Sequence, residues 1–129
     1  MQATTHQRIN ERLSGTPTHL GPGVARVELE TLDEMLADRS GLIHGGFIFS
    51  LADYAAMLAV NHPNVVLGAA EVRFMKPVVL GDRLVAEGRV GEPEGVKVPV
   101  AVEVRRRDEV VFIGTFTCFT PERHVLEPS

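Results

Sequence analysis

Residues 41–61 read GLIHGGFIFSLADYAAMLAVN. From Phe47 to Val60 the apolar residues fall on every side of a helix with 3.6 residues per turn, so no polar face remains to meet water. The stretch is as apolar as a membrane segment. Yet Gly45 to Val60 falls short of the roughly 20 apolar residues a bilayer needs, and a carboxylate, Asp53, interrupts it. It therefore reads as a buried core helix. The helix starts near Gly45–Gly46 and stops before Pro63, because the residue preceding a proline is steered out of the α region. What a lone acid does inside it is the question the rest of the chain has to answer.

Working outward, Val24–Thr31 alternates upstream, with Ala25, Val27 and Leu29 to one side and Arg26, Glu28 and Glu30 to the other. That is a half-buried strand. Between it and the helix, LDEMLADRSGL reads as a turn or loop. Residues 1–15 form an N-terminal arm, in which Thr5 to Leu13 carries Ile9 and Leu13 at the spacing of a short amphipathic helix before the break SGTP. Downstream of the helix everything is strand-like. NVVLGAAEVRFMKP is followed by a GDR turn and LVAEGRV. GEPEG turns the chain again. Val96, Val98, Val100, Val102 and Val104 then alternate without a fault, and RRDE leads into VVFIGTFTCFT and a polar tail at 121–129. Pro99 sits on the outward parity of its strand, which points to an edge or a bulge.

Four strands joined by short connections imply antiparallel neighbours. With the upstream strand they make a five-stranded antiparallel sheet curled round one apolar helix, an α+β arrangement in a single domain spanning 1–129. One sheet face covers only one side of a helix. The other side calls for a second copy of the chain, packed about a two-fold axis.

The totals narrow the partners. At 129 residues the chain is long enough to bury a core without staples. The net charge of −4 lacks the basic field that nucleic-acid binding needs. A single Cys118 excludes an intrachain disulfide and fits a reducing compartment. The first residues carry no apolar signal segment, so a cytoplasmic location is expected, with no membrane partner. His6, His19, His44, His62 and His124 are not paired at ligand spacing, so no metal is expected.

The order of elements and the run HGGFIFSLADYAAMLAVN together resemble the hot-dog fold acyl-CoA thioesterases, whose signature is His-Gly-Gly, six residues, then Asp. VRFMKPVVLGDRL resembles that family's next landmark, and the resemblance covers about residues 20 to 120. It implies a homodimer or a dimer of dimers acting on acyl-CoA, with coenzyme A as part of the substrate and no separate cofactor. It places Asp53 as the catalytic carboxylate, with His44, Gly45 and Gly46 closing the active-site loop and opening the helix. Two positions depart from the family pattern. Asp38 stands where members often carry Asn, and Leu67 where many carry Ser or Thr.

Thioester hydrolysis needs stabilisation of the charge that builds on the carbonyl oxygen, and an activated water or nucleophile. Free N–H groups at a helix N-terminus supply the first, and glycines at 45 and 46 let a ligand approach them. Asp53 supplies the second, as general base or nucleophile, and its apolar surround should raise its pKa. Gly46 and Asp53 are seven residues apart, about 10 Å along one helix, too far to serve one thioester. Two helices running antiparallel across a dimer axis would bring each tip to the partner's Asp53. Tyr54 and Phe49 pack the core or line an acyl pocket. His44 reads as an orienting residue more than a base, and Asp38 as a loop brace or a substrate contact. Lys76, Arg73 and Arg105–Arg107 are candidates for the phosphates of coenzyme A.

Two rival functions stand beside hydrolysis. One is non-catalytic binding or sensing of acyl-CoA or acyl carrier protein, as in hot-dog effector domains of bacterial lipid-synthesis repressors. The other is a hot-dog hydratase, ranked last because Asp38 and His44 lack that group's spacing and its Asn-Pro.

Overall fold

The computed structural model describes residues 1–128. The central helix, α2, spans Gly45–Val60, and Asn61 ends it in the left-handed conformation. Around it lie β1 (Thr16–Gly21), β2 (Val24–Glu30), β3 (Val66–Phe74), β4 (Arg83–Val90), β5 (Lys97–Arg106) and β6 (Glu109–Phe119), with a one-turn helix α1 (Glu11–Ser14) before them. All the pairings are antiparallel, in the order β1-β2-β4-β5-β6-β3. A curled antiparallel sheet holding one long helix is the hot-dog fold.

The alternating valines drive this shape. Val98, Val100, Val102 and Val104 turn inward with Phe112 and Phe116 of β6 and Ala86 of β4, all buried. Gly88 of β4 lets the helix come in close, since a Cβ there would stand 2.9 Å from the Ala55 carbonyl oxygen. Outward positions carry paired charges. Arg26 and Arg89 both bond Glu87, and Arg105 bonds Glu103.

Four expectations are corrected. The sheet has six strands, not five, because TPTHLG adds an edge strand that folds back on β2 through the Gly21–Gly23 turn. The strand after the helix does not neighbour the next in sequence. β3 pairs with β6, and residues 75–82 cross the end of the sheet to β4. Arg106 holds that crossing, donating to the Pro77 carbonyl at 2.9 Å and to Asp82 at 2.7 Å. Pro99 lies in the inner strand β5. Its carbonyl accepts from Gly91 N at 2.8 Å just beyond the end of β4, so its missing N–H forgoes only the reciprocal bond at the very end of that ladder.

The fourth correction concerns the arm. Only Glu11–Ser14 is helical; His6 takes a positive φ of 53° and breaks the expected Thr5–Leu13 helix. The arm lies along the side of α2 that faces away from the sheet. Asn61 clasps it, accepting from Thr4 N at 2.7 Å and donating to the Gln2 carbonyl at 2.9 Å. Ile9 and Leu13 pack on the core, and the His6 ring lies 6.3 Å from that of Tyr54. Much of the cover assigned to a second copy thus comes from the chain itself. Among the described residues no helix is long and apolar enough to cross a membrane.

Candidate active site

After this covering, most of the positions of α2 left half-buried or open form a stripe. Gly46, Phe49, Ser50, Asp53 and Val60 lie along it, at the three- and four-residue spacing of one helix face, beside the buried Met57. The arm borders one flank. On the other, Phe49 packs against Phe116 at 5.4 Å, and the β3 edge stands beyond.

The N-terminal tip of this stripe is uncapped. His44 occupies the cap position without a side-chain cap bond. Phe47 N donates back to the His44 carbonyl, whereas among the described residues the N–H groups of Gly45 and Gly46 meet no acceptor. Two unspent amides at the positive end of a 16-residue helix attract developing negative charge. The preceding loop holds the tip still through His44 N to Met35 O (2.9 Å) and Ile43 N to Val78 O (2.8 Å). Neighbouring rings crowd the tip, so a side chain there fits only if they give way. A Cβ on Gly45 would sit 3.2 Å from the Phe74 ring, and one on Gly46 would sit 3.0 Å from the His44 imidazole.

Two turns along, Asp53 Oδ1 is buried and has no hydrogen-bond partner among the described residues. Burial pushes its carboxyl up to about 6, as the apolar surroundings led us to expect. Cys118, directly across β6 from Leu67 of β3, is buried near enough to feel the charge. Its thiol is pushed up to about 12, mainly by burial and then by Asp53. Leu67 is half-buried on that side.

The remaining candidates divide. Asp38 is a brace, its Oδ1 accepting from Ser40 N at 2.9 Å and Leu42 N at 3.3 Å, and it lies exposed in the loop before the tip. Tyr54 is only 3% exposed and faces the arm. Lys76 is exposed in the crossing segment, and Arg105 bonds Glu103 on the outer sheet face. Arg106 is spent on Pro77, Asp82 and Glu109. Arg73 lines a groove of about 720 Å³ across the outer sheet face with Glu71, Glu87 and Arg89. That groove lies across the sheet from α2 and Asp53, so its size says nothing about the chemistry. Sequence reading missed Ser50, although its position three residues before Asp53 was visible, and Ser14, which carried no signal.

A small acid in an apolar slot shares one stripe with unspent helix-tip amides, wrapped in the sheet of a hot-dog fold. Comparison with known sequences agrees, because the thioesterase superfamily profile matches residues 40–113. The chain belongs to the thioesterase superfamily. It is similar in structure to an uncharacterized protein from Pyrococcus horikoshii, at 54% identity and a TM-score of 0.97 over 98% of each chain. It is also 53% identical over 116 residues, 90% of this chain, to the methylthioribose-1-phosphate isomerase of Aquifex aeolicus. Transcription factor FapR of Caldanaerobacter subterraneus is 30% identical over 98 residues, 76% of this chain. The chain spans 25% of the isomerase and 49% of the transcription factor, so those names describe longer molecules.

Proposed function

We propose that the protein hydrolyses acyl-CoA thioesters to a free acid and coenzyme A, as a homodimer or dimer of dimers. The observation that carries this reading is Asp53, whose buried Oδ1 has no partner among the described residues and whose carboxyl is pushed up to about 6. A base with that affinity for a proton matches neutral operation, where proton transfer is most effective. As general base, Asp53 takes a proton from water while the water oxygen attacks the thioester carbonyl carbon. The oxyanion that forms is held by the Gly45 and Gly46 amides of the partner copy. Collapse breaks the C–S bond, and Asp53 returns its proton to the departing sulfur. Attack by Asp53 itself, through an anhydride, uses the same groups.

Two features support the paired arrangement. Among the described residues the edge of β3 beyond β6 has no neighbouring strand, and an edge of this kind takes a partner strand readily. The half-buried stripe of α2 lies on the same side, so joining two such edges would lay the two stripes antiparallel. The test is thiol release from a panel of acyl-CoA substrates, with Asp53→Asn beside the native protein. Mixed dimers of Asp53→Asn and Gly46→Val subunits should regain part of the rate, since one of their two sites keeps both native elements. No turnover of any thioester, or full rate in the Asn variant, overturns the reading.

The similarity to FapR, a transcription factor by name, favours a non-catalytic role, and with it the second reading that stood beside hydrolysis in the sequence: a module that binds an acyl thioester without cleaving it. It predicts saturable acyl-CoA binding with no thiol release.

A further inference from the structure

On the outward stripe of α2, one hydroxyl stands between the tip and the acid. Ser50 follows Gly46 by four residues and precedes Asp53 by three, about 6 Å and 4.5 Å along the axis. A serine inside a helix ordinarily bonds the carbonyl four residues back. Ser50 does not. Its Oγ lies 2.8 Å from the Oγ of Ser14, at the end of α1. The chain makes a demanding turn to bring Ser14 there. Gly15 takes a φ of +103°, and a Cβ on it would stand 2.7 Å from Val27 and 2.9 Å from Leu51. Ser14 is only 7% exposed, whereas Ser50 is half-buried and open to the stripe.

The hydrogen count is informative. Two hydroxyls bring two hydrogens, and the bond between them uses one. Among the described residues neither oxygen has a second protein partner. When Ser14 donates, its buried hydrogen is satisfied and the Ser50 hydrogen is free in the slot. The opposite direction strands a hydrogen on nearly buried Ser14, which costs more. The pair therefore presents a donor one helical turn from a carboxylate that has no partner among the described residues.

We infer that Ser50, with its hydroxyl oriented by Ser14, is a positioning residue that holds the attacking water against Asp53. The water accepts a hydrogen bond from Ser50 and donates one to the Asp53 carboxylate, which leaves an oxygen lone pair for the thioester carbon. No atom is transferred to or from Ser50. This deepens the hydrolytic reading and rests on it, but its first test does not need turnover. The other titratable groups around this part of α2 are Cys118, Tyr54, Glu11 and His6, so the Asp53 carboxyl has to be followed directly.

The experiment is carbon-13 NMR titration of Asp53 in the native chain and in Ser50→Ala, Ser50→Thr and Ser14→Ala. Removing the held water takes a donor from the carboxylate, so Ser50→Ala should move the midpoint upward by about half a unit or more. Ser50→Thr should restore it, and Ser14→Ala should give an intermediate value. On whichever thioester turns over, Ser50→Ala should lower kcat about tenfold at unchanged KM, with Ser50→Thr recovering most of it. If the pair only staples α1 to α2, Ser50→Ala and Ser14→Ala will lower thermal stability alike and leave the Asp53 midpoint where it was. That result overturns the inference. Loss of thioester turnover in the native protein would instead count against hydrolysis, with the titration still deciding whether Ser50 holds water on Asp53.

Discussion

The face of α2 that meets the sheet and the face that looks away from it follow different rules. Toward the sheet lie Ile48, Leu51, Ala52, Ala55, Leu58 and Ala59, all buried, and Gly88 of β4 lets the backbone of the helix approach. Every group there is matched in shape, and close packing is what stabilises it. Away from the sheet the stripe keeps a bare acid, an uncapped tip and a hydroxyl pair. An unpartnered polar group in a half-buried slot costs stability, so what remains there is explained by what it can bind. One helix thus separates a packed face from an open one by about half a turn of its circumference.

Substitutions on the two faces should have opposite signatures. The largest effect is expected from Asp53→Asn, which should lower thioester turnover roughly 10³-fold. The same change should raise stability. With its carboxyl pushed up to about 6, the native state holds a proton that the unfolded chain, near 4, has already lost. Native stability therefore falls as pH rises between those values, and the full cost applies above the upper one. Allowing for partial solvent contact, the Asn variant should gain about 1–2 kcal/mol at pH 7 and lose that slope in urea melts taken from pH 4 to 7. A variant that is slower and less stable would mean that Asp53 is a structural group.

Gly46→Ala comes next. The added methyl would stand over the tip where an oxyanion approaches, and turnover should fall roughly 10²-fold. Stability should hardly change, because the obstructing His44 side chain is exposed and free to turn away. On the opposite face, Gly88→Ala meets the Ala55 backbone, which cannot turn away. It should cost about 1–3 kcal/mol in denaturant melts and leave the Asp53 titration where it was. Asp38→Asn should matter least. An amide oxygen accepts the same bonds from Ser40 and Leu42, so stability should move by less than about 0.5 kcal/mol. A large loss of turnover in that variant would bring residue 38 into contact with substrate.

Much of the fold was legible because its signals are local. The helix bounds came from Gly45 and Pro63, and the valines of β5 declared their inward face by strict alternation. β1 went unread because TPTHLG neither alternates nor carries apolar weight; its pairing with β2 supplies the order its own residues lack. The β6–β3 pairing was hidden for another reason. The eight residues between β3 and β4 look like an ordinary turn, and the arginine that pins them across the sheet end lies in another hairpin. At the site, Asp53 and the two glycines stood out as candidates through the resemblance of their run to the hot-dog thioesterases, whereas the bonds of Asp38 depended on which way its side chain turned.

By itself, the sequence determined that an apolar helix with one acid would be wrapped by antiparallel strands, because periodicity dictates which faces must leave water. Only the tertiary structure decided which part of that helix stays open. The N-terminal arm returns across more than fifty residues to cover most of the outward face, leaving a stripe from Gly46 to Asp53 uncovered. Contacts between segments so far apart in the chain leave no periodic trace in either of them, so the opening around Asp53 could be seen only in the folded chain.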